Sequence, residues 1–506
     1  MKYDVIVVGA GSGGATVAAR LSEDPSRSVL LLEAGPDYPD IDTLPFDLKF
    51  NHGTGTDLAV GGEHDWQYTG NATAEAPPMP VPRGKVTGGT SAINGAVFLR
   101  GLPEDFDDWA SWGNEEWSHD KVFPYFNKIE TDTDYSGDFH GSDGPVIVRR
   151  FMRDELMAEQ IALYDACLDA GFPDSLDHNL PDSTGVGPSP HNNPDLIRWS
   201  TSIAYLSEAR PRLNLTIRAN CTAQNLIFDG HRTTGVIVKS LGETFTVSGD
   251  EIILCAGTIS SAQLLMVSGI GPATHLTAFG IPVLVDSPGV GQNLRDHATV
   301  HQKWRAKESL PMPVGDQGPQ NVALRYTAEG SSLRNDMLTM IRWKSPEQIV
   351  MMSAGLYMAR SSGELRLTSQ DVSVHPFLDY NYLAHQSDIE RLRAGVLLNI
   401  RLARHKSFAS ILGPLLDPAV GDITTDKALD AWIRRNVTTM HHITGTLKMG
   451  PDSDKLAVVD QYCRVKGVNG LRVADASVMP DCVRANTNAT VIMIGERVAD
   501  FIKGDC

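Results

Sequence analysis

The chain has 506 residues and a formal net charge of −18, with 42% hydrophobic and 21% charged residues. This length leaves room for two or more domains with large cores, and the composition is that of a globular protein. So acidic a chain disfavours binding to nucleic acid or to anionic membranes, and no apolar run reaches the roughly 18 residues of a membrane helix.

An apolar run, a glycine-rich turn and a second apolar run open the chain. The runs over residues 3–8 and 29–32 have the length and composition of buried β-strands, and residues 15–21 between them are small and helix-forming. Glycines within residues 9–14 form the turn, and Glu33 ends the second run. This order predicts a βαβ unit that binds a dinucleotide.

The glycine and polar positions of this unit each have a predicted role. Gly9 permits the tight turn, Gly11 lets a pyrophosphate approach the backbone, and Gly14 lets the helix pack against the first strand. The helix N-terminus beside Ser12 offers N–H groups and a positive dipole end to the phosphates. Glu33 accepts from both ribose hydroxyls and repels a 2′-phosphate, which disfavours NADP and leaves both FAD and NAD open.

A second segment of small residues follows a loop-rich excursion over residues 34–82. Its backbone could lie against a flat ligand while its N–H groups donate hydrogen bonds. This makes the segment a candidate flavin loop, although a tight turn before a buried helix has the same composition. Its candidate cofactor contacts are Gly88, Gly89, Ser91, Asn94 and Gly95.

These two segments and six later ones, in this order, resemble the glucose–methanol–choline (GMC) family of FAD oxidoreductases. The later segments are residues 250–257, 258–271, 288–297, 442–450, 471–480 and 486–497. The resemblance spans the chain and implies an α/β fold, with a Rossmann-like FAD-binding domain and an interleaved α+β substrate domain of mostly antiparallel sheet backed by helices. Thr87 and Ala262 depart from the family pattern without touching the chemistry.

The resemblance also implies how the chain is divided and how the cofactor is held. The FAD-binding domain is expected over residues 1–145, 196–298 and 440–506, and the substrate-binding domain over residues 146–195 and 299–439. The alternating stretch over residues 366–379 suggests sheet in the second domain. Ile93 stands where some members carry a histidine bonded to FAD, so non-covalent FAD is expected.

Alcohol oxidation needs a proton acceptor for the hydroxyl, and histidine suits this role because its pKa lies near working pH. The resemblance assigns the base to His442. It places Asn486 at the second catalytic position, where an amide donates to the substrate oxygen and cannot act as base. His441 is the rival for the role of base. Neighbouring residues on a strand or turn point apart, so only one of the two histidines is expected to face the flavin. His441 and Met440 would then line the substrate pocket.

The C-terminal segments supply the remaining cofactor contacts. Asp475 matches the family residue beside the ribityl or phosphate region, and a turn aspartate is the alternative reading. Ala476, Asn486 and Thr487 are assigned to the cofactor with it. The helix expected over residues 488–502 should direct its positive end at the flavin pyrimidine, where negative charge develops on reduction.

The substrate is the least determined feature. The stretch from residue 301 to 343 is rich in polar side chains, which suit a polyhydroxylated ligand or a solvated surface. Its candidate residues are Gln302, Trp304, Gln317, Gln320, Asn321 and Arg342, with Gln302 and Trp304 as substrate contacts. In overall plan and length the chain also resembles bacterial members of the family that oxidise pyranoses and glycosides at a ring carbon. We therefore favour oxidation of a ring hydroxyl of a sugar or glycoside to a ketone.

The sequence leaves other substrates and another class of function open. Aryl, furanic or choline-like primary alcohols are alternative substrates, although no aromatic cage for a quaternary ammonium stands out. A cyanohydrin lyase that binds FAD is the alternative from another class, and a flavin scaffold without turnover is disfavoured by the presence of both His442 and Asn486. The expected partners are the alcohol or sugar and an electron acceptor, O₂ or another; the sequence leaves the oligomeric state open.

Metal binding and export are not indicated. The six cysteines form no C-x-x-C pair, and His297 and His301, four residues apart, lack an obvious third ligand. A strand starting at Tyr3 leaves no room for a signal peptide, so a cytoplasmic location is expected.

Overall fold

A computed structural model describes residues 2–50, 60–308, 321–344 and 347–504. Gln317 and Gln320, named above, lie outside these ranges, as does one of the six cysteines, Cys506. The helices are α1 (Ser12–Leu21), α2 (Phe46–Lys49), α3 (Pro103–Ser111), α4 (His119–Ile129), α5 (Ala158–Asp169), α6 (Ser207–Ala209), α7 (Gly257–Val267), α8 (Ala273–Ala278), α9 (Gln386–Leu402), α10 (Asp426–Asn436) and α11 (Thr487–Gly504).

The strands follow the same chain order. They are β1 (Lys2–Val8), β2 (Val29–Leu32), β3 (Tyr68–Gly70), β4 (Met79–Val81), β5 (Glu130–Asp132), β6 (Val146–Arg150), β7 (Gly185–Pro188), β8 (Pro190–His191), β9 (Leu215–Arg218), β10 (Cys221–Asp229), β11 (Arg232–Ser240), β12 (Glu243–Leu254), β13 (Ile270–Gly271), β14 (Val285–Asp286), β15 (Ala298–Ala306), β16 (Val322–Tyr326), β17 (Met337–Lys344), β18 (Ile349–Leu356), β19 (Glu364–Arg366), β20 (Phe377–Asp379), β21 (Leu412–Asp417), β22 (Thr438–Thr439) and β23 (Leu471–Val473).

The first large sheet is built around β1, in the order β10-β11-β12-β1-β2-β9 with β23 beside β12. β1 runs parallel to β12 and β2, and β2 runs parallel to β9. The four residues of β2 and the last four of β1 are buried, as expected for parallel strands covered on both faces. The predicted βαβ unit is thus present, and its carboxyl-end edge carries Gly9 and Glu33.

The C-terminal helix packs back onto the first one. A Cβ at Gly495 of α11 would lie 2.9 Å from the backbone oxygen of Gly13, so the two helices meet backbone to backbone. Arg20 on α1 pairs with the buried Glu496 on α11 at 2.8 Å, and Tyr205 donates to the same carboxylate at 2.8 Å. The two ends of the chain therefore meet beside the glycine turn.

The second large sheet is antiparallel, in the order β21-β15-β18-β17-β16-β7, with β22 beside β15. Helices α5, α9 and α10 contact its strands. This confirms the predicted mixed fold class, with an antiparallel sheet backed by helices. The short strand β22 leads the chain from this sheet directly to His441 and His442.

Several narrower expectations have different outcomes. The alternating stretch over residues 366–379 forms strands only at its two ends, where β19 pairs with β20, and residues between them form turns. The proposed division into two discontinuous domains stays a prediction. The described cysteines are buried and free. No helix among the described residues is long and apolar enough to cross a membrane.

Candidate active site

A continuous cavity runs from the carboxyl end of β1 and β2 to the face of the antiparallel sheet. It brings together residues that are hundreds of positions apart in the chain. The predicted residues on its wall are Gly9, Gly11, Ser12, Glu33, Gly89, Ser91, Asn94, Gly95, Met440, His441, His442, Asp475, Ala476, Asn486 and Thr487. Gly14, Gly88, Gln302 and Trp304 are not among the described wall residues.

The three glycines of the opening turn have different surroundings. Gly9 has a φ of +100°, and a Cβ there would lie 2.5 Å from the backbone oxygen of Cys255. A Cβ on Gly14 would lie 1.8 Å from the backbone oxygen of Gly9, so this glycine serves helix packing. A Cβ on Gly11 would meet only Gly89, at 3.8 Å, and would otherwise project into the cavity. Gly11 thus leaves wall space that a ligand can fill.

Glu33 stands at the end of β2 with both carboxylate oxygens already engaged. Oε2 accepts from the backbone N–H of Ala10 and Oε1 from that of Gly35, each at 2.9 Å. Burial raises the pKa of Glu33 to about 7, although the hydrogen bonds from these amides act to lower it. Each oxygen keeps a second lone pair, so the carboxylate can still accept from a ribose.

The second glycine segment packs its backbone against the first. Gly88 and Gly89 both adopt positive φ, and a Cβ on Gly89 would lie 2.7 Å from the Cα of Gly11. Ser91 donates to the backbone oxygen of Gly88 at 2.6 Å and accepts from the backbone N–H of Thr201 at 3.0 Å. Glycine is required at this contact, because any side chain would separate the two turns.

Asp475 ties the turn that follows β23 to the first residues of α7 at the cavity wall. Oδ2 accepts from the backbone N–H of Gly257 at 2.9 Å and from the Ser261 hydroxyl at 2.6 Å. Oδ1 accepts from the backbone N–H of Ser477 at 2.9 Å and from its hydroxyl. These four bonds give Asp475 a structural role at the start of α7, besides its predicted contact with the cofactor.

The N-termini of α1 and α11 meet at the cavity. The Ser12 hydroxyl donates to Oδ1 of Asn488 at 2.7 Å, while Nδ2 of Asn488 is buried without a hydrogen-bond partner among the described atoms. A buried amide nitrogen without an acceptor costs free energy unless a ligand supplies one. The Asn488 amide donor, the open wall at Gly11 and the acceptor oxygens of Glu33 together fit a dinucleotide.

The catalytic residues form a connected row of three side chains. The Asn486 amide nitrogen lies 3.1 Å from Nε2 of His442, and Nδ1 of His442 lies 2.8 Å from Nδ1 of His297. Because an amide nitrogen only donates, Nε2 of His442 accepts and its proton resides on Nδ1, donated to His297. This tautomer leaves the basic nitrogen on the side of Asn486 and the cavity.

Asp296 fixes the backbone around this row. Oδ1 accepts from the backbone N–H groups of His297 and His442, each at 2.8 Å. Oδ2 accepts from the hydroxyls of Tyr382, at 2.6 Å, and Thr439. Asp296 is buried and does not line the cavity, so it acts by holding both histidines in place.

Both histidines are held neutral. Burial lowers the pKa of His297 to about 3. Burial lowers the pKa of His442 well below its usual value, and nearby His297, His441 and Arg83 lower it further. A neutral His442 has a lone pair available as a base. The His297 ring also stacks on Tyr357, with centroids 4.0 Å apart and planes 18° apart.

His441 is placed differently from His442. It adopts a left-handed backbone conformation with φ of +68°, and its backbone N–H donates to the Thr439 hydroxyl at 2.7 Å. Its carbonyl accepts from Nη1 of Arg83 at 2.8 Å. The turn at His441 therefore separates the directions of the two adjacent rings, while both residues remain on the cavity wall.

The two predicted substrate contacts on β15 face away from the cavity. Oε1 of Gln302 accepts from Asn399 on α9 at 2.6 Å, and Trp304 is buried in the core. Alternation along the strand instead puts Thr299 and His301 on the wall. The predicted substrate contacts of Gln302 and Trp304 thus lack support, because polar composition does not determine which face of a strand a side chain occupies.

Sequence reasoning missed His297, Asp296 and Arg83. The sequence suggested His297 only as a metal ligand with His301. Residues 288–297 resemble a segment of the family, but the resemblance gave Asp296 no role. No signal in the sequence joins His297 to His442 across 145 positions. The polar cluster of Glu130, Asp132 and His140 was not predicted either.

That cluster contains its own cations. Arg150 pairs with Asp132 at 2.7 Å, and Arg100 pairs with Glu130. Burial acts to lower the pKa of His140, but its hydrogen-bonded carboxylates outweigh burial and raise the pKa to about 10. The carboxylates are therefore neutralised by protein cations, which is a structural ion network rather than an evident metal centre.

Comparison with known proteins identifies related sequences over the whole chain. The GMC oxidoreductase family models match residues 3–299 and 359–495. An uncharacterized GMC-type oxidoreductase of Rhodococcus erythropolis is 36% identical over 99% of this chain and 98% of its own length. An oxygen-dependent choline dehydrogenase of Escherichia coli K12 is 35% identical, covering 100% and 96%. Among solved structures, pyridoxine 4-oxidase from Mesorbium loti superimposes with a TM-score of 0.91 at 29% identity, covering 98% of each chain.

Proposed function

The chain belongs to the GMC oxidoreductase family and is an FAD-dependent oxidoreductase acting on CH–OH donors, and from that premise we propose that it oxidises a primary alcohol borne on an aromatic or heteroaromatic ring, with His442 as base. The observation that carries the assignment of the base is the row Asn486–His442–His297, because it holds a neutral imidazole with its unprotonated nitrogen, Nε2, on the side of Asn486 and the cavity.

The protein's side chains perform three tasks in this proposal. The alcohol hydroxyl takes the place of the Asn486 amide at Nε2 of His442 and gives Nε2 its proton, while the amide donates to the substrate oxygen and fixes its direction. Nδ1 of His297 accepts a hydrogen bond from the Nδ1–H group of His442, which keeps the ring from turning. When bound, FAD supplies the acceptor for the hydride from the alcohol carbon. General base catalysis of this kind contributes about 10²–10⁴ in rate.

The preference for a ring-bearing alcohol rests on the cavity wall near the base. Met340, Met351 and Met440 line it, and methionine sulfur makes favourable contacts with aromatic rings. Met440 is seated on β18, where a Cβ on Gly355 would lie 2.8 Å from its sulfur. The solved relative at 29% identity is named for oxidation of pyridoxine, which supports the same class.

A ring hydroxyl of a sugar or glycoside is the second candidate. The wall also carries Gln263, Thr299 and Ser353, whose side chains can hydrogen-bond hydroxyl groups. Gln302 and Trp304 do not support the sugar hypothesis, because they face the core. Choline is disfavoured, although relatives bear that name, because Arg83 and Arg342 on the wall repel a cation.

FAD is proposed to be held without a covalent bond. Ile93 packs in a small apolar cluster with Leu48, Val86 and Ala92, and its side chain has no atom that could bond a flavin. The electron acceptor, O₂ or another, and the cytoplasmic location stay predictions.

Anaerobic loss of the oxidised-flavin absorbance tests the proposal. Benzyl alcohol, pyridoxine, methyl glucoside, choline and a cyanohydrin would each be mixed with the yellow holoenzyme, and air admitted afterwards. Reduction by benzyl alcohol or pyridoxine supports the ring-bearing alcohol, and reduction by the glycoside alone supports the second candidate. Cyanohydrin cleavage without reduction by any alcohol would contradict both. Rapid recovery of absorbance in air identifies an oxidase, and its absence a dehydrogenase.

A further inference from the structure

Arg83 is a cation at the reaction end of the cavity that the proposed chemistry leaves without a task. Its Nη1 donates to the backbone oxygen of His441 at 2.8 Å, so the side chain lies beside the catalytic turn. Its Nη2 is buried without a hydrogen-bond partner among the described atoms. A buried guanidinium nitrogen without an acceptor is costly, which calls for an acceptor supplied by a ligand.

No carboxylate of the described residues forms an ion pair with Arg83. Asp296 lies nearby, but its two oxygens accept from the backbone of His297 and His442 and from two hydroxyls. Asp65 also lies nearby, but its carboxylate accepts from the backbone N–H of Arg83 and forms no ion pair with the guanidinium. The guanidinium therefore remains a fixed positive charge.

The charges of the wall reinforce this point. Arg83 lines the cavity beside the catalytic turn, whereas the acidic residues on its described wall are Glu33 and Asp475, both engaged by amide or hydroxyl donors outside the catalytic row. In a chain of net charge −18, a cavity with this local excess of positive charge selects for anions.

We propose that Arg83 makes the reaction end of the cavity a binding site for a carboxylate. The guanidinium fork suits a carboxylate, which accepts two parallel N–H bonds. The carboxylate could belong to the alcohol substrate itself or to a free acid that competes with it. The location of this site next to His442 rests on the proposed function, but carboxylate binding requires no turnover.

Matched ligands isolate the charge. Benzoate and benzamide have nearly the same shape, and acetate and acetamide form a smaller pair for a narrow cavity. Binding to the holoenzyme would be followed through the perturbation of the FAD absorbance spectrum. We expect each carboxylate to bind at least about tenfold more tightly than its amide. Equal binding of each pair, or binding of neither member, would overturn the proposal.

Variants then assign the preference to one residue. Arg83→Met should abolish the preference for carboxylate, and Arg83→Lys should keep part of it, while Arg342→Met should leave most of it. Loss of the preference in Arg342→Met with retention in Arg83→Met would overturn the assignment. Far-ultraviolet circular dichroism and FAD content check that each variant is folded, and the wild-type comparison stands even if Arg83→Met does not fold.

A last pair of ligands distinguishes the two sources of the carboxylate. If the substrate carries it, 4-(hydroxymethyl)benzoate should have a lower KM than 4-(hydroxymethyl)benzamide, and Arg83→Met should remove the difference. If a free acid is bound, benzoate should compete with benzyl alcohol while the two substituted alcohols have equal KM values. Failure of every alcohol to reduce the flavin would contradict the proposed function and leave the spectral titration to decide carboxylate binding.

Discussion

Nδ1 of His297 lies 2.8 Å from Nδ1 of His442, with the two rings inclined at 77°. A single proton occupies this contact, since two facing N–H groups would repel each other and two bare nitrogens could not bond. The Asn486 amide at the opposite nitrogen determines that His442 is the donor. The pair therefore sets the tautomer of the base before any substrate arrives.

Replacing the base should stop the chemistry while leaving the cofactor in place. We expect His442→Gln to slow anaerobic flavin reduction by about 10²–10⁴, as for loss of a general base. Stopped-flow absorbance measures the rate, and FAD content is measured alongside. The surface variant His231→Gln serves as control and should react like the wild type. Wild-type reduction rates in His442→Gln would show that another residue is the base.

His297 is expected to act by positioning His442. In His297→Phe the Nδ1 proton of His442 loses its acceptor, so kcat should fall about tenfold with little change in KM. His297→Asn, whose amide oxygen can accept, should recover part of the rate. The readout that separates positioning from general damage is the pH profile, because the apparent pKa of the base should move in His297→Phe and return toward the wild-type value in His297→Asn.

Two neighbouring asparagines should separate cofactor binding from chemistry. Asn488→Ala removes the acceptor for the Ser12 hydroxyl and the buried amide aimed at the cavity, so FAD should bind more weakly by roughly 1–3 kcal/mol. Asn486→Ala should lower the reduction rate and weaken FAD binding less than Asn488→Ala does. Fluorescence titration of the apoproteins and stopped-flow reduction measure the two effects. The reverse pattern would contradict both assignments.

Acid should destabilise the fold through its buried histidines. Burial lowers the pKa of His178 and His191 to about 4 and that of His297 to about 3. Because the unfolded chain binds these protons near pH 6.5 and the folded chain does not, the stability they contribute is present above pH 6.5 and lost as pH falls toward 4.

One histidine can be tested alone. The Nδ1–H group of His191 donates to the backbone oxygen of Ser189 at 2.8 Å, and the side-chain amide of Gln can also donate there. His191→Gln should reduce the loss of unfolding free energy between pH 6.5 and 4 by roughly 3 kcal/mol, as expected for one group shifted by that interval. Chemical denaturation at several pH values measures it. An unchanged pH dependence would mean that His191 is protonated in the folded state.

A cationic alcohol should be rejected relative to its neutral analogue. Choline and 3,3-dimethylbutan-1-ol have the same shape and differ in one charge, so their ratio of kcat/KM reports the field of Arg83 and Arg342. We expect the neutral alcohol to be favoured about tenfold or more, with a smaller ratio at high salt. A preference for choline would show that a negative group dominates the cavity.

The amino-acid sequence alone was enough to predict the βαβ unit, the glycine turns and, through resemblance, the family and the proposed roles of His442 and Asn486. These features are local: a strand, a turn and a helix N-terminus are specified by neighbouring residues, and each motif is continuous in the chain. The βαβ unit could be read because its buried strands and its glycines leave few other conformations.

Which side chains meet could be seen only in the folded chain. His297 bonds His442, and Arg83 reaches His441, across separations that no local pattern encodes. The register of β15 decided that Thr299 and His301, and not Gln302 and Trp304, line the cavity. A shift of one residue along a strand reverses the face of every side chain, so composition alone could not distinguish a substrate wall from a packed core.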